Sequence, residues 1–148
     1  MLKRITVLNR HDAVKYTRKK NIDDKAAMIS IGNVGNCYGS RPVTCPHVPL
    51  IQSLSFDDVT SGLNGIPMVQ ADANLIARFV EKIEKLGFTH LIVHCDAGMS
   101  RSVAVAEAIA NSRNLPHRAV HYTQPRNRNE HVYELLKETL DSYITAQA

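Results

Sequence analysis

The sequence predicts an α/β fold with a largely parallel central sheet flanked by helices. Two observations carry this prediction: short apolar runs alternate along the chain with segments of helical periodicity, and glycines end several of these runs. Strands that alternate with helices are typical of βαβ units. In folds of this kind, functional residues gather beyond the carboxyl ends of the strands.

The first part of the chain predicts three strands and one short helix. Residues 5–8 are apolar and partly β-branched, which predicts the first strand, and a short polar helix follows through residues 11–20. Residues 27–31 predict a second strand, ended by Gly32. Residues 50–56 predict a third strand, which runs into an acidic loop.

The second part predicts three helices and one more strand. Residues 71–86 have an apolar stripe at helical spacing, ended by Gly87: Leu75, Ile76, Phe79, Val80, Ile83 and Leu86. Residues 91–93 predict a buried strand, and the alanine-rich residues 102–110 predict a buried helix. A last helix carries a second apolar stripe: Val132, Leu135, Leu136, Leu140, Tyr143 and Ile144.

Length and composition predict one domain covering residues 1–148. The chain has 148 residues, of which 44% are hydrophobic, and it contains no internal repeat or low-complexity linker. Its apolar runs are far shorter than the roughly 20 residues that cross a bilayer. The apolar part of its N-terminus is too short for a secretory signal. We therefore expect a cytoplasmic protein without a membrane span.

The cysteines favour the same compartment. Three cysteines are an odd number, which argues against a disulfide framework and for reducing conditions. Cys37 and Cys45 lie near His47, but this spacing matches no common zinc pattern, so we expect free thiols and no metal site. Whether Cys37 or Cys45 forms a protective disulfide with the third cysteine is left open by the sequence.

The charge indicates which partners the chain attracts. A formal net charge of +4 favours acidic or phosphorylated partners. The chain has no Trp and only eight Phe and Tyr residues, and it lacks an aromatic-basic motif for stacking bases. We therefore predict no specific nucleic-acid binding.

The most informative stretch is His-Cys-Asp-Ala-Gly-Met-Ser-Arg-Ser, residues 94–102, where the fourth strand gives way to a helix. Cys95 lies six positions before Arg101, with Gly98 between them. Unpaired amides and the positive end of a helix dipole bind anions and favour a thiolate over a thiol. We expect the backbone amides of the loop to surround three phosphoryl oxygens. These amides belong to Asp96, Ala97, Gly98, Met99, Ser100 and Arg101.

Four further features of this stretch bear on the predicted cradle. The Arg101 guanidinium can donate two parallel hydrogen bonds to a phosphoryl group. Gly98 permits a backbone conformation that lets the loop curl around the anion. The Ser102 hydroxyl could stabilise the thiolate as it leaves, or it could be an ordinary helix cap. His94 could orient the loop, or it could be a satisfied interior histidine.

These residues resemble the cysteine-dependent protein phosphatase superfamily, whose signature is His-Cys, five residues, Arg, and Ser or Thr. The match is complete from His94 to Ser102. About two thirds of the chain precedes it, as in compact dual-specificity-type phosphatases. The resemblance implies a dual-specificity phosphatase-like fold and hydrolysis of phosphomonoesters through a phosphocysteine intermediate. The substrate would be a phosphoprotein or a small phosphomonoester, and no cofactor is expected.

The resemblance also implies a general acid a few tens of residues before the cysteine. Asp57 and Asp58 occupy that slot; we favour Asp58, and the alternative is that the pair caps a turn after a strand. Asp72 looks like a helix-start residue, and the Asp96 side chain should point away from the phosphate. These two carboxylates are weaker candidates.

A polar segment before the last helix resembles one that flanks the catalytic loop in dual-specificity enzymes. Arg126 and Arg128 could attract an acidic substrate, and Asn127 or Asn129 could fix a loop or position water. A solvated polar connection is an equally good interpretation.

Two other functions use a similar loop. A phosphate-recognition module, a phosphatase relative without turnover, would bind the anion and release nothing. A sulfurtransferase also places a cysteine in an anion-binding loop, but it would not need His94, Ser102 and an upstream acid.

Overall fold

A computed structural model describes residues 1–17, 26–34, 50–60, 62 and 65–147. Its centre is a five-stranded sheet in the order β3-β2-β4-β1-β5, and every paired neighbour is parallel. The strands are β1 (Arg4–Leu8), β2 (Ala26–Gly32), β3 (Ile51–Ser55), β4 (His90–His94) and β5 (Val120–Tyr122). The predicted α/β fold with a largely parallel sheet is confirmed.

Within the described ranges, four helices accompany the sheet: α1 (Arg10–Thr17), α2 (Gln70–Lys85), α3 (Arg101–Ser112) and α4 (Glu130–Gln147). The larger core cluster joins side chains of α2, α3 and α4 to one face of the sheet. A smaller cluster joins Ala13 of α1 to Met28 and Ile92 on the other face. The sheet is therefore covered on both faces, as expected for parallel strands.

Strand β4 is the centre of the sheet and leads directly into the signature loop. All five of its residues are buried, and it pairs with β2 on one side and β1 on the other. Its near-continuous apolar run, Leu91–Ile92–Val93, is typical of a parallel strand with both faces covered. The burial of β4 fixes the position at which Cys95 emerges from the sheet.

The structure differs from the predicted elements in three places. Leu75 and Leu86, assigned to the apolar stripe of α2, are 39% and 54% exposed: Leu75 lies beside the buried face of the helix, and Leu86 is the C-cap residue just beyond its end. Strand β5 and the short 3-10 turn His117–Ala119 before it were not predicted. With three residues and a polar centre, β5 is too short to produce an apolar pattern.

Among the described helices, none combines the length and the apolar character that crossing a membrane requires. Cys37, Cys45 and His47 lie outside the described residues, so the free thiols expected there remain a prediction. The side chain of Ile144, assigned to the stripe of α4, is also outside them.

Candidate active site

Cys95 follows β4 directly and is buried, with 2% of its surface exposed. Its Sγ lies 3.1 Å from the Oγ of Ser102, in the first turn of α3. The N-cap of α3 is Ser100, which makes no side-chain cap hydrogen bond. The Ser102 hydroxyl is therefore in contact with the sulfur, in a position to donate a hydrogen bond to a thiolate.

Gly98 shapes the loop by packing against the end of β1. Its φ is +71°, and a Cβ at this position would lie 2.7 Å from the amide nitrogen of Asn9 and 2.9 Å from the carbonyl carbon of Leu8. Nearby, the amide of Arg10 donates to the carbonyl of Asp96 at 3.0 Å. Positive φ and close backbone approach together explain why glycine occupies this position.

Arg101 is 4% exposed and is held by the ends of neighbouring strands. Its Nη1 donates to the carbonyl of Phe56 at 2.8 Å, to Oδ1 of Asn33 at 2.7 Å and, at 3.4 Å, to the carbonyl of Gly32. Its Nε is buried and has no hydrogen-bond partner within the described part of the chain. The three bonds of Arg101 all come from Nη1. The edge formed by Nε and Nη2, which suits two parallel bonds to a phosphoryl group, takes part in none of them.

His94 is fully buried beneath the loop. Its Nδ1 lies 3.4 Å from the carbonyl of Cys95, which can only accept, so Nδ1 carries the proton and Nε2 accepts from the Ser30 hydroxyl at 2.6 Å. Burial lowers the pKa of His94 to about 4, and the positive charges of Arg10 and Arg101 act in the same direction. His94 is neutral at pH 7 and ties β4 to β2.

The two acidic-loop aspartates have different surroundings. The Asp57 carboxylate accepts the amide of Ile66 at 2.8 Å and the amide of Val34 at 3.0 Å, and these bonds lower the pKa of Asp57. Its own amide donates to the Ile66 carbonyl at 2.7 Å. A Cβ on Gly65 would lie 2.9 Å from Oδ2 of Asp57, so the chain passes close to this carboxylate. Asp57 thus closes the loop between residues 57 and 66.

Asp58 is exposed and is turned towards the signature loop. Its Oδ1 accepts a hydrogen bond from the Ser100 hydroxyl at 2.8 Å and another from Nδ2 of Asn129 at 2.9 Å. Oδ2 makes no hydrogen bond with any described residue. The structure therefore brings Asp58, Ser100 and Asn129 together.

Asn129 joins three parts of the molecule. Its Nδ2 also donates to the Val59 carbonyl at 3.2 Å, and its Oδ1 accepts the amide of Val132 at 3.2 Å in the first turn of α4. Its backbone amide donates to the Ser100 carbonyl at 3.2 Å. The same side chain caps a helix, holds the acidic loop and adjoins the signature loop.

The rest of the polar segment divides between the loop and its outer side. The amide of Asn127 donates to the Met99 carbonyl at 2.8 Å, while its side chain is exposed. Arg128 donates to Glu107 at 3.0 Å and to Glu130 at 2.8 Å, so its donors are already engaged. Arg126 is 46% exposed beside the ring of Tyr122.

The remaining candidates are placed as follows. Oδ2 of Asp96, whose side chain was expected to point away from the phosphate, accepts Nδ2 of Asn33 at 3.1 Å and lies 3.8 Å from Nη2 of Arg101. Ala97 contributes only its backbone to the loop between β4 and α3. Asp72 accepts the amide of Val69 at 3.0 Å, which confirms it as a helix-start residue.

Asn33 also belongs to the site, although it was not among the residues predicted from the sequence. It follows Gly32 at the carboxyl end of β2, next to β4 in the sheet, and its side chain contacts both Arg101 and Asp96. The available signal was the position itself, because polar residues directly after parallel strands gather at one edge of the sheet.

Comparison with known proteins identifies relatives by structure alone. No protein-family model and no curated protein matches the sequence. Human DUSP28 matches with a TM-score of 0.61 and 16% identity, covering 97% of this chain and 95% of that one. PTPMT1 in complex with PI(5)P matches at 0.56 and 22%, covering 90% and 88%. Tk-PTP in its active form matches at 0.52 and 18%, covering 94% and 92%.

These similarities show a shared fold over most of the chain. The expected dual-specificity phosphatase-like architecture is therefore confirmed at the level of the fold. Identities of 16% to 22% leave the chemistry to be argued from this chain's own residues.

The Gly98 contact predicts that Gly98→Ala is destabilising. An added Cβ would meet backbone atoms at 2.7 Å and 2.9 Å in a left-handed conformation, so we expect the free energy of unfolding to fall by about 1–3 kcal/mol. Urea denaturation measures the change. Gly62→Ala is the matched control, because a Cβ there meets nothing within 4 Å. Equal losses in the two variants would contradict the contact.

The burial of His94 predicts a pH dependence of stability. The folded state keeps His94 neutral down to about pH 4, whereas the unfolded chain takes up the proton near pH 6.5. Stability is therefore lost as the pH falls from 6.5 to 4, by up to about 3 kcal/mol. Urea midpoints across this range should fall more steeply for the parent than for His94→Gln. Parallel curves would show that His94 is not the group responsible.

Proposed function

We propose that this chain hydrolyses phosphomonoesters through a phosphocysteine intermediate. The substrate we assign is phosphotyrosine in proteins or, with dual specificity, other phosphorylated side chains. The observation that carries the proposal is the buried Nε of Arg101, left without a partner in the described part of the chain, in the same loop as Cys95. A buried donor without a partner costs about 1–3 kcal/mol, so it indicates a ligand with acceptor oxygens.

The first step is attack of the Cys95 thiolate on phosphorus. A sulfur–phosphorus bond forms while the bond from phosphorus to the leaving oxygen breaks. The loop amides and the Nε and Nη2 donors of Arg101 stabilise the charge on the three transferring oxygens. The positive end of the α3 dipole next to Cys95 stabilises negative charge at the sulfur.

The leaving oxygen needs a proton, and we assign the general acid to Asp58. Both oxygens of Asp57 accept backbone amides, and its lowered pKa keeps it ionised, which suits a structural role. Asp58 has Oδ1 held by Ser100 and Asn129, so Oδ2 is the oxygen available to carry the proton. The hydrogen bonds of the two carboxylates therefore favour Asp58 over Asp57.

The second step returns the cysteine. The Asp58 carboxylate takes a proton from water, the water oxygen attacks phosphorus, and the sulfur leaves as a thiolate. Ser102, 3.1 Å from Sγ, can donate a hydrogen bond to that thiolate. Inorganic phosphate is the product, and no cofactor takes part in either step.

Substitution of the signature residues tests the reaction. We expect the parent to release phosphate from p-nitrophenyl phosphate between pH 5 and 8, and Cys95→Ser to lose activity by about a thousandfold or more. Arg101→Lys should lose about a hundredfold, because an ammonium cannot make two parallel bonds. Arg118→Lys, an exposed change outside the site, is the matched control. Activity surviving in Cys95→Ser would refute the thiolate mechanism.

An inactive parent that still binds phosphate would instead identify a phosphate-recognition module. Binding is measured by the protection that inorganic phosphate gives Cys95 against iodoacetamide. The two measurements together separate an enzyme from a binding protein with the same loop.

Leaving-group dependence tests the acid. Asp58→Asn should slow aryl phosphates with basic leaving groups most, because those need the proton, and it should spare activated ones. Asp57→Asn is the matched change; we expect it to lower thermal stability and to reduce the rate by a similar factor for all leaving groups. A steeper leaving-group dependence in Asp57→Asn than in Asp58→Asn would reverse the assignment.

A further inference from the structure

Asn33 connects the two charged side chains of the signature loop. Its Oδ1 accepts Nη1 of Arg101 at 2.7 Å, and its Nδ2 donates to Oδ2 of Asp96 at 3.1 Å. A guanidinium only donates and a carboxylate only accepts, so these partners allow one orientation of the amide. Asn33 is therefore fixed between Arg101 and Asp96.

The Asp96 carboxylate and a phosphoryl group would compete for the same donors of Arg101. Oδ2 of Asp96 lies 3.8 Å from Nη2 of Arg101, which is close enough to attract but too long for a direct hydrogen bond. Nη2 and Nε form the edge that two parallel bonds to a phosphoryl group require. A carboxylate that moved closer by about 1 Å would occupy that edge in place of the phosphoryl group.

The Asp96 side chain is 38% exposed and has few hydrogen bonds to the rest of the described structure. Its Oδ1 is buried and has no hydrogen-bond partner among the described residues, so Asn33 is the one side chain there that donates to this carboxylate. Arg101, by contrast, also donates from Nη1 to the carbonyls of Phe56 and Gly32, and these bonds do not involve Asn33. Removal of the Asn33 amide would therefore release Asp96 more than it would release Arg101.

We propose that Asn33 is a positioning residue that keeps Arg101 open to the phosphoryl group by holding the Asp96 carboxylate away from Nη2. This inference rests on the proposed function, because it assumes that the loop binds a phosphoryl group. It assigns to a residue outside the signature the task of preventing an internal ion pair from closing the site.

A double-mutant cycle on Asn33 and Asp96 tests the proposal. The quantity measured is the dissociation constant of inorganic phosphate, from its protection of Cys95 against iodoacetamide. Asn33→Ala should weaken phosphate binding about tenfold, because Asp96 then pairs with Arg101. Asp96→Asn should tighten it by about two- to threefold, because a negative charge near the anion is removed.

The double variant is decisive. With the carboxylate gone, Asn33→Ala/Asp96→Asn should bind phosphate within about threefold of Asp96→Asn alone, which is a coupling that independent sites would not show. A general loss of structure would not be rescued by removing Asp96. Asn111→Ala, which removes an amide bonded to the Tyr133 hydroxyl on the far part of α3, is the matched control.

Three results would overturn the proposal. Unchanged phosphate binding in Asn33→Ala would show that Asn33 does not control the site. A double variant as weak as Asn33→Ala would show that Asn33 acts through the guanidinium and not on Asp96. Equal weakening in Asn111→Ala would make the effect one of stability. In each case, hydrolysis by the parent would leave the proposed function standing, whereas a parent without hydrolysis and without phosphate protection would refute both.

Discussion

The burial of the Arg101 guanidinium is the constraint on which the rest of the site depends. A charge that is 4% exposed is costly unless its donors are paired, and the fold supplies carbonyl oxygens from the end of β2 and from the chain just after β3. Those strands lie on one side of β4 in the sheet. The pairing stops short of satisfying the side chain, since Nε has no partner among the described residues. In our proposal, the remaining donors bind the phosphoryl group.

A second set of bonds makes the acidic loop part of the same assembly. Asn129 caps α4, holds Asp58 and Val59, and bonds to the backbone of Ser100. The start of α4, Asp58 and the signature loop are thus held together by the side chain and the backbone amide of one residue. Stability and chemistry are coupled here, because a shift of α4 would move the oxygen that we assign to the proton.

Much of this arrangement could be predicted from the sequence, for a physical reason. Parallel strands that are buried on both faces have continuous apolar sequences, and α3 has an alanine-rich sequence. These patterns predict the core elements and the loop between β4 and α3. Strand β5 has only three residues, which is too few to show a periodic pattern, so its pairing with β1 in the structure is what identifies it. The exposure of Leu75 depends on how α2 rotates against the core, which spacing alone does not determine, and Leu86 lies just beyond the end of the helix.

The site shows the same division. The signature residues are local in the chain, so the sequence identifies them as one unit. Asp57 and Asp58 are adjacent and chemically identical, and only their hydrogen-bond partners distinguish them. Asp57 accepts the amides of Val34 and Ile66. Asp58 accepts from the side chains of Ser100 and Asn129. Asn33 bonds directly to Asp96 and Arg101, which lie more than sixty positions later in the chain, and it belongs to no motif. Long-range side-chain contacts of this kind require the fold.

Gly98 packs closely on Leu8 and Asn9, so the end of β1 is the surface that shapes the signature loop. The loop takes its curvature from a surface that lies some ninety positions earlier in the chain, and β1 is itself held between β4 and β5. A fragment starting after β1 would keep every residue of the signature and still lack the surface that shapes it. In our proposal, anion affinity is therefore linked to the packing of β1, and a bound anion stabilises β1 against separation from the sheet.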